Sequence, residues 1–192
     1  MPKERSNTIK EQQKRAETGT AKRQDISENQ AKIVYLGIGS NLGDRKKNIE
    51  IAKSHLSENN LDFLSISSFY ETPSWPNPKK PKFLNVVIKA KFCFDPESLL
   101  KICKKIEILL GRKKGKKNDP RICDIDIIDF NKKVLKVKNK LTLPHKLMHK
   151  RNFVLIPFFE VQKEWYHPII KKDLKSLISL LSQADIRSIK QI

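Results

Sequence analysis

The chain has 192 residues, enough for one domain with a substantial core, and its 40 Lys and Arg against 21 Asp and Glu leave a net charge of +19. That balance suits a polyanionic partner, whether nucleic acid, an anionic surface or a nucleotide polyphosphate, although a general lysine bias would look the same. No apolar run reaches membrane-spanning length and no hydrophobic signal region opens the chain. Cys93, Cys103 and Cys123 lack metal-site or redox-pair spacing, so reduced core thiols in a cytoplasmic protein that engages no membrane are expected.

Residues 1–32 are polar and charged and cannot bury enough apolar surface to offset the entropy of ordering, so a disordered tail is expected. Residues 33–39 (IVYLGIG) read as a short buried strand. Ser40 to Asp44 read as a turn in which Gly39 and Gly43 let the backbone bend. A helix begins near Arg45, with Ile49, Ala52 and Leu56 on one face. The glycine turn lacks the Lys-Ser/Thr of a P-loop, which favours a structural role. Residues 62–71 alternate as a strand. Thr72 to Pro81 hold four prolines and form a loop, on which Trp75 is either a hydrophobic plug or a stacking platform.

Residues 83–94 read as a long strand with Asn85 as its odd polar member. Asp95-Pro96-Glu97 has the order of a cap, a first helical proline and a first-turn acid. Leu99, Cys103, Ile106 and Leu110 continue as a helical stripe that Gly111 ends, with Glu107 near its C-terminal end. Residues 112–121 then carry six positive charges and run straight into PRICDIDIIDF at 120–130. The latter reads as a buried strand in which Asp124 and Asp126, two apart, share a face. Two unpaired aspartates beside a core would repel each other and lose hydration. A divalent cation resolves this, and Mg²⁺ takes one or two carboxylates plus substrate phosphates. On a solvated edge strand a bare Asp-x-Asp would mean nothing. The basic loop beside it is what points to a triphosphate, whose charge needs both Mg²⁺ and Arg or Lys.

Farther on, 131–133 form a turn, 134–137 a short strand, and Leu141 to His145 an extended segment from which Pro144 excludes helix. Residues 153–161 read as a short buried helix broken at Pro157. Asp173 caps a final amphipathic helix with Leu174, Leu177, Ile178 and Leu181, and 183–192 read as a C-terminal tail. The expected domain therefore spans 33–182. Its element order predicts an α+β fold, a ferredoxin-like βαββαβ core with an antiparallel sheet covered by helices and extra C-terminal elements. Such a fold does not decide function.

Six ordered blocks carry a resemblance: YLGIGSNLGD (35–44), SSFYETPSW (67–75), FLNVV (83–87), IEILLGR (106–112), PRICDIDIIDF (120–130) and LTLPHKLMHKRNFVLIPFFEV (141–161). Together they resemble the 6-hydroxymethyl-7,8-dihydropterin pyrophosphokinase family of folate biosynthesis over about residues 33–182. The resemblance implies transfer of the β,γ-pyrophosphoryl group of ATP to the pterin hydroxymethyl oxygen, with release of AMP. It implies two Mg²⁺ ions on Asp124 and Asp126, and Arg112 and Arg121 as catalytic residues on the phosphates. Glu107, Lys114, Ile127, Thr142, His145 and Arg151 match positions around the nucleotide. Thr72, Pro73, Trp75, Phe83, Asn85 and Phe153 match the pterin pocket, where Phe83 and Phe153 would sandwich the ring and Asp124 is placed to accept a further pterin hydrogen bond. The metals would lower the pKa of the hydroxymethyl group and align it for in-line attack. Closure of loops 75–82 and 112–119 would exclude water. The expected partners are ATP and the pterin, with no nucleic acid, and the chain is expected to act as a monomer.

Two departures from the family pattern bear on activity. Asn118-Asp119 precede Pro120 where the family more often has Gly, sometimes with a Trp just ahead, and Asn152 follows Arg151 where Gly is frequent. A catalytically degenerate relative would bind nucleotide without turnover. A basic, ferredoxin-like single-stranded RNA binder would need aromatics on central strands flanked by Arg or Lys. It would leave Asp124 and Asp126 without a role, and its binding would be salt-sensitive and independent of Mg²⁺.

Overall fold

A computed structural model describes residues 30–75, 77–112 and 119–192. The expected tail falls almost wholly outside the described residues, as do Lys114 and Asn118. The fold opens with β1 (Lys32–Ser40), α1 (Arg45–Glu58), β2 (Asp62–Ile66) and β3 (Tyr70–Thr72), followed by β4 (Phe83–Phe92), α2 (Pro96–Leu109) and β5 (Asp124–Phe130). A small hairpin follows, β6 (Leu135–Val137) and β7 (Leu141–Leu143), then a 3₁₀ turn (Met148–Lys150) and α3 (Asn152–Val161). The chain closes with α4 (Leu174–Ser179), α5 (Gln183–Ser188) and β8 (Lys190–Gln191). The antiparallel sheet has the order β5-β1-β4-β3-β8, with β2 also on β4. This is the expected ferredoxin-like arrangement.

Period-2 alternation sends β1 residues to two different cores. Val34, Leu36 and Ile38 pack with Leu84, Val86 and Ile88 of β4 and Ile125 and Ile127 of β5. They meet Ile49, Ala52 and Leu56 of α1 and Leu99, Cys103 and Ile106 of α2. On the opposite face Tyr35, Val87 and Ile128 meet Val154, Leu155 and Phe158 of α3, Leu174 and Leu177 of α4, and Trp165. The caps form as expected. Asp44 accepts from Lys47 N, and Asp95 from the amides of Glu97 and Ser98 with Pro96 opening α2.

Some segments differ from the expectation. The strand read over 62–71 is two strands. Ser67 Oγ accepts from Val87 N, and Ser68 turns its amide and hydroxyl to Glu160 of α3, so the ladder breaks there. The helix read as broken at Pro157 is continuous. A proline removes one intrahelical donor, and burial against β4 and α4 outweighs that loss. Residues 183–192 are not a tail. Asn152 Nδ2 donates to Asp185 O at 2.6 Å and Ser188 Oγ at 3.0 Å, and β8 pairs with Tyr70 and Glu71. No residue of α5 is buried, so no apolar stripe announced it. Cys103 and Cys123 are buried thiols, pushed up to about 12 first by burial, whereas Cys93 is only half-buried.

His167 gives this core a pH dependence. It is 4% exposed, lies edge-on to Trp165 at 5.4 Å, and its Nδ1 accepts from the amides of Ile169 and Ile170 at 3.2 Å each. A protonated Nδ1 cannot accept, and burial, then His149, lower its pKa from 6.5 to about 4. The unfolded chain therefore binds a proton below about pH 6.5 that the folded chain refuses until about pH 4. Stability should be level above pH 7 and fall by about 1 kcal/mol on going to pH 5, allowing for solvent screening. Urea midpoints at the two pH values check this, and His167→Gln should shrink the difference.

Candidate active site

The floor of the main cavity is bare backbone. On the face of β1 away from α1 and α2 stand Gly37 and Gly39. Gly39 lies between Asn85 of β4 and Asp124 of β5, and Gly37 between Val87 and Asp126. With no side chain in the middle row, a trough opens between Asn85 and the carboxylates. A Cβ at Gly39 would meet Asn85 Oδ1 at 2.9 Å and Phe83 Cδ1 at 3.3 Å. Gly39 therefore serves close approach within a strand, not the turn expected of it, while Gly43, at φ +62°, does occupy the turn. The cavity holds about 960 Å³, at the upper end for small-molecule sites.

On the β5 side, arginines meet both carboxylates. Asp124 Oδ1 accepts from Arg112 Nη1 at 2.9 Å and its Oδ2 meets Arg121 Nη1 at 3.0 Å. Asp126 Oδ2 accepts from Arg151 Nη1 at 3.2 Å, with His145 Nε2 at 3.9 Å. Burial alone would raise the Asp124 carboxyl, but Arg121, Arg112 and Lys104 outweigh it and hold the group below its usual range. For His145 burial outweighs the nearby Asp126 and lowers the imidazole. Glu107, 1% exposed, supports this end. Its Oε1 accepts from Ile125 N at 2.9 Å on the free edge of β5, and the carboxylate pairs with Lys104 and Arg112. A buried carboxylate so placed satisfies a strand-edge donor and anchors a guanidinium at once.

At the β4 end the lining turns aromatic. Asn85 Nδ2 donates to Thr72 Oγ1 at 3.0 Å within the buried layer. Pro73, Trp75, Phe83 and Phe153 complete the wall. Trp75 is 51% exposed at the mouth. The Arg151 guanidinium lies 5.7 Å from the Trp75 ring and 5.4 Å from the Phe153 ring, so it links the aromatic end to Asp126.

Of the expected site residues, Thr72, Pro73, Trp75, Phe83, Asn85, Glu107, Arg112, Arg121, Asp124, Asp126, His145, Arg151 and Phe153 all line this one cavity. Ile127 and Thr142 do not. Ile127 packs in the α1/α2 core, and Thr142 sits on β7 opposite Lys136. Lys114 lies outside the described residues. Gly37, Gly39 and Lys104 also line the cavity and were not singled out for the site. The two glycines were legible as a pair two apart on a central strand, the same spacing as Asp124 and Asp126. Asp119, which departs from the family pattern ahead of Pro120, meets Lys80 at 3.2 Å. Helices pack on both faces of the sheet, and Tyr70 is buried with its hydroxyl on Glu160.

Comparison with known proteins places the chain among relatives. The family model for 7,8-dihydro-6-hydroxymethylpterin-pyrophosphokinase (HPPK) matches residues 35–163. A 2-amino-4-hydroxy-6-hydroxymethyldihydropteridine pyrophosphokinase of Aquifex aeolicus is 42% identical over 142 residues, covering 74% of this chain and 88% of that one. The corresponding Bacillus subtilis protein is 34% identical over 130 residues, covering 67% and 77%. The folic acid synthesis protein FOL1 of Dictyostelium discoideum is 38% identical over 138 residues, which are 72% of this chain but only 21% of that longer one. Among solved structures, a Plasmodium falciparum HPPK-DHPS with pterin and p-hydroxybenzoate superposes with a TM-score of 0.66 at 18% identity, over 85% of this chain and 48% of that one.

The bare floor is directly testable. Gly39→Ala should destabilise the fold by about 1–3 kcal/mol through overpacking against Asn85 and Phe83, because Asn85 is held in place by Thr72. Gly37→Ala, whose Cβ would meet only Ile128 at 3.4 Å, should cost clearly less. Denaturant midpoints of the two variants compare them side by side.

Proposed function

The chain belongs to the 7,8-dihydro-6-hydroxymethylpterin-pyrophosphokinase family, and we propose that its cavity holds ATP and 6-hydroxymethyl-7,8-dihydropterin together. The β,γ-pyrophosphoryl group of ATP passes to the pterin hydroxymethyl oxygen, a step of folate biosynthesis. The hydroxymethyl oxygen bonds to the β-phosphorus, the bond from that phosphorus to the α-bridging oxygen breaks, AMP leaves with that oxygen, and the hydroxyl proton is lost to solvent. The observation that carries this reading is a hydrogen-bonding aromatic pocket and an arginine-ringed carboxylate pair on opposite sides of Gly37 and Gly39 of β1.

The pterin is assigned to the β4 side. Phe83 and Phe153 offer ring faces to a flat heterocycle, and Asn85 and Thr72 offer amide and hydroxyl partners to its polar edge. The polyphosphate lies along β5. Asp124 and Asp126 present hard oxygen donors two residues apart on one face, and among the described residues no cluster of three or more His, Cys, Asp or Glu stands there. That donor set fits Mg²⁺, which completes its shell with phosphate oxygens and water. Two such ions, when bound, neutralise the transferring phosphates and lower the pKa of the hydroxymethyl group.

The protein's own groups bind and orient. Arg112 and Arg121, within 3.0 Å of Asp124, are the guanidiniums that reach a polyphosphate beside that carboxylate. Arg151 does the same beside Asp126, where the His145 imidazole also stands. Glu107 holds Arg112 and the edge of β5 in register. Phosphoryl-type transfer asks for positioning and charge neutralisation, not for a side-chain nucleophile.

The test is AMP release from ATP, Mg²⁺ and 6-hydroxymethyl-7,8-dihydropterin. Pterin-dependent AMP from the unaltered chain, falling by about a hundredfold or more in Asp126→Ala, is the expected result. The variant should also lose Mg²⁺-dependent binding of a non-hydrolysable ATP analogue. Nucleotide binding without any AMP would identify a degenerate relative instead.

A further inference from the structure

The turn after β1 holds a buried polar residue that the catalytic reading leaves unused. Asn41 is 3% exposed. Its backbone N donates to Arg121 O at 3.2 Å, its side-chain Oδ1 accepts from Arg121 N at 2.7 Å, and its Nδ2 donates to Pro81 O at 3.1 Å. These bonds fall at a defined place in the sheet. The β1–β5 ladder ends at Gly39↔Asp124 and the β1–β4 ladder at Ser40↔Leu84. Just beyond both ends, one amide side chain completes a further rung in each direction, with its oxygen toward the lead-in of β5 and its nitrogen toward the lead-in of β4. Aspartate lacks the donor for Pro81 O, serine is too short to reach both sides, and glutamine adds a methylene that the buried site must absorb.

We infer that Asn41 is a positioning residue for Arg121, and through Pro81 for the end of the proline-rich loop that carries Trp75. This rests on the reading that Arg121 serves the phosphates. Capture of the Arg121 amide fixes the backbone from which the guanidinium reaches Asp124 Oδ2 at 3.0 Å, and the Arg121 Nε contact to Asp119 O at 3.3 Å adds a second hold. Arg45 fastens the same loop end from α1, with its guanidinium on Lys82 O at 3.0 Å and on Glu71 at 3.0 Å. The turn at 41–45 therefore sets the spacing between the aromatic wall and a phosphate-facing arginine. Small displacements of such groups cost rate steeply.

The experiment is a mutant cycle of Asn41→Ala with Arg121→Ala, read by AMP release, thermal midpoint and amide hydrogen exchange. In the native background Asn41→Ala should lower kcat/KM roughly ten- to a hundredfold. In the Arg121→Ala background the same change should cost less than about twofold, because residues that act as one unit are not additive. The Arg121 amide should exchange at least about tenfold faster in Asn41→Ala, while the central amides of β1 and β4 stay protected. Asn41→Asp, which keeps the acceptor for Arg121 N but loses the donor to Pro81 O, should lose less kcat/KM than Asn41→Ala.

An equal loss in both backgrounds, or no loss at all, would overturn the inference. So would a loss in Asn41→Asp as large as that of Arg121→Ala, a comparison that stands even if Asn41→Ala does not fold. Arg121→Ala turning over at the native rate, or an unaltered chain that releases no AMP, would instead remove the functional reading and the inference with it.

Discussion

Two carboxylates on one partly buried face of a strand, as Asp124 and Asp126 are, repel each other and lose hydration unless something neutralises them. Much of the local architecture answers that constraint. Arg112 arrives from the C-terminal end of α2, Arg121 from the lead-in of β5, and Arg151 from the start of α3. Each arginine comes from a different element, so the carboxylate pair is also the point where α2, β5 and α3 are tied together. Glu107 extends the arrangement one step inward, because a buried acid can persist only with donors on its oxygens, and Ile125 N, Lys104 and Arg112 supply them. The same guanidiniums that quench the aspartates are those a polyphosphate would meet.

Beside this charged edge, β1 contributes almost nothing but backbone. A central strand normally fills both faces with side chains. Here one face carries Val34, Leu36 and Ile38 into the core, and the other shows Gly37 and Gly39 to the cavity. The aromatic wall and the carboxylate row can thus face each other across a flat strip, with nothing of intermediate polarity between them. Strands β4 and β5 hold Phe83, Asn85, Asp124 and Asp126, which favours preorganised binding at those positions.

The elements that position this site were largely legible because each carried a local signal. Asp95-Pro96-Glu97 announced α2, and apolar runs announced β1, β4 and β5. What escaped had no such signal. The break between β2 and β3 comes from Ser67 and Ser68 bonding to Val87 and to the distant Glu160. Helix α5 has no buried face and is held by Asn152, some thirty residues earlier in the chain. Asp124 and Asp126 were read as metal ligands and not as partners of arginines, because those arginines converge on the carboxylates only in the fold. Gly39 looked like part of a turn because a glycine's use depends on what approaches it, here Asn85 Oδ1. Ile127 and Thr142, carried over by resemblance, lie away from the cavity lining, and side-chain contact offers no physical account of their matching positions.

The antiparallel ladders also decide what this chain can tolerate as it varies. Closing the long loop from Gly39 to Asp124, compared with the shorter one to Asn85, adds only about 0.5 kcal/mol of chain entropy. Insertions in the connections are therefore a minor thermodynamic matter. Parity is not. Slipping β5 by one residue against β1 would turn Asp124 and Asp126 into the core now filled by Ile125 and Ile127, and would present those isoleucines to the cavity. Loop length can drift among sequences with this fold, whereas an odd-numbered shift between Gly39 and Asp124 would invert the site in a single step.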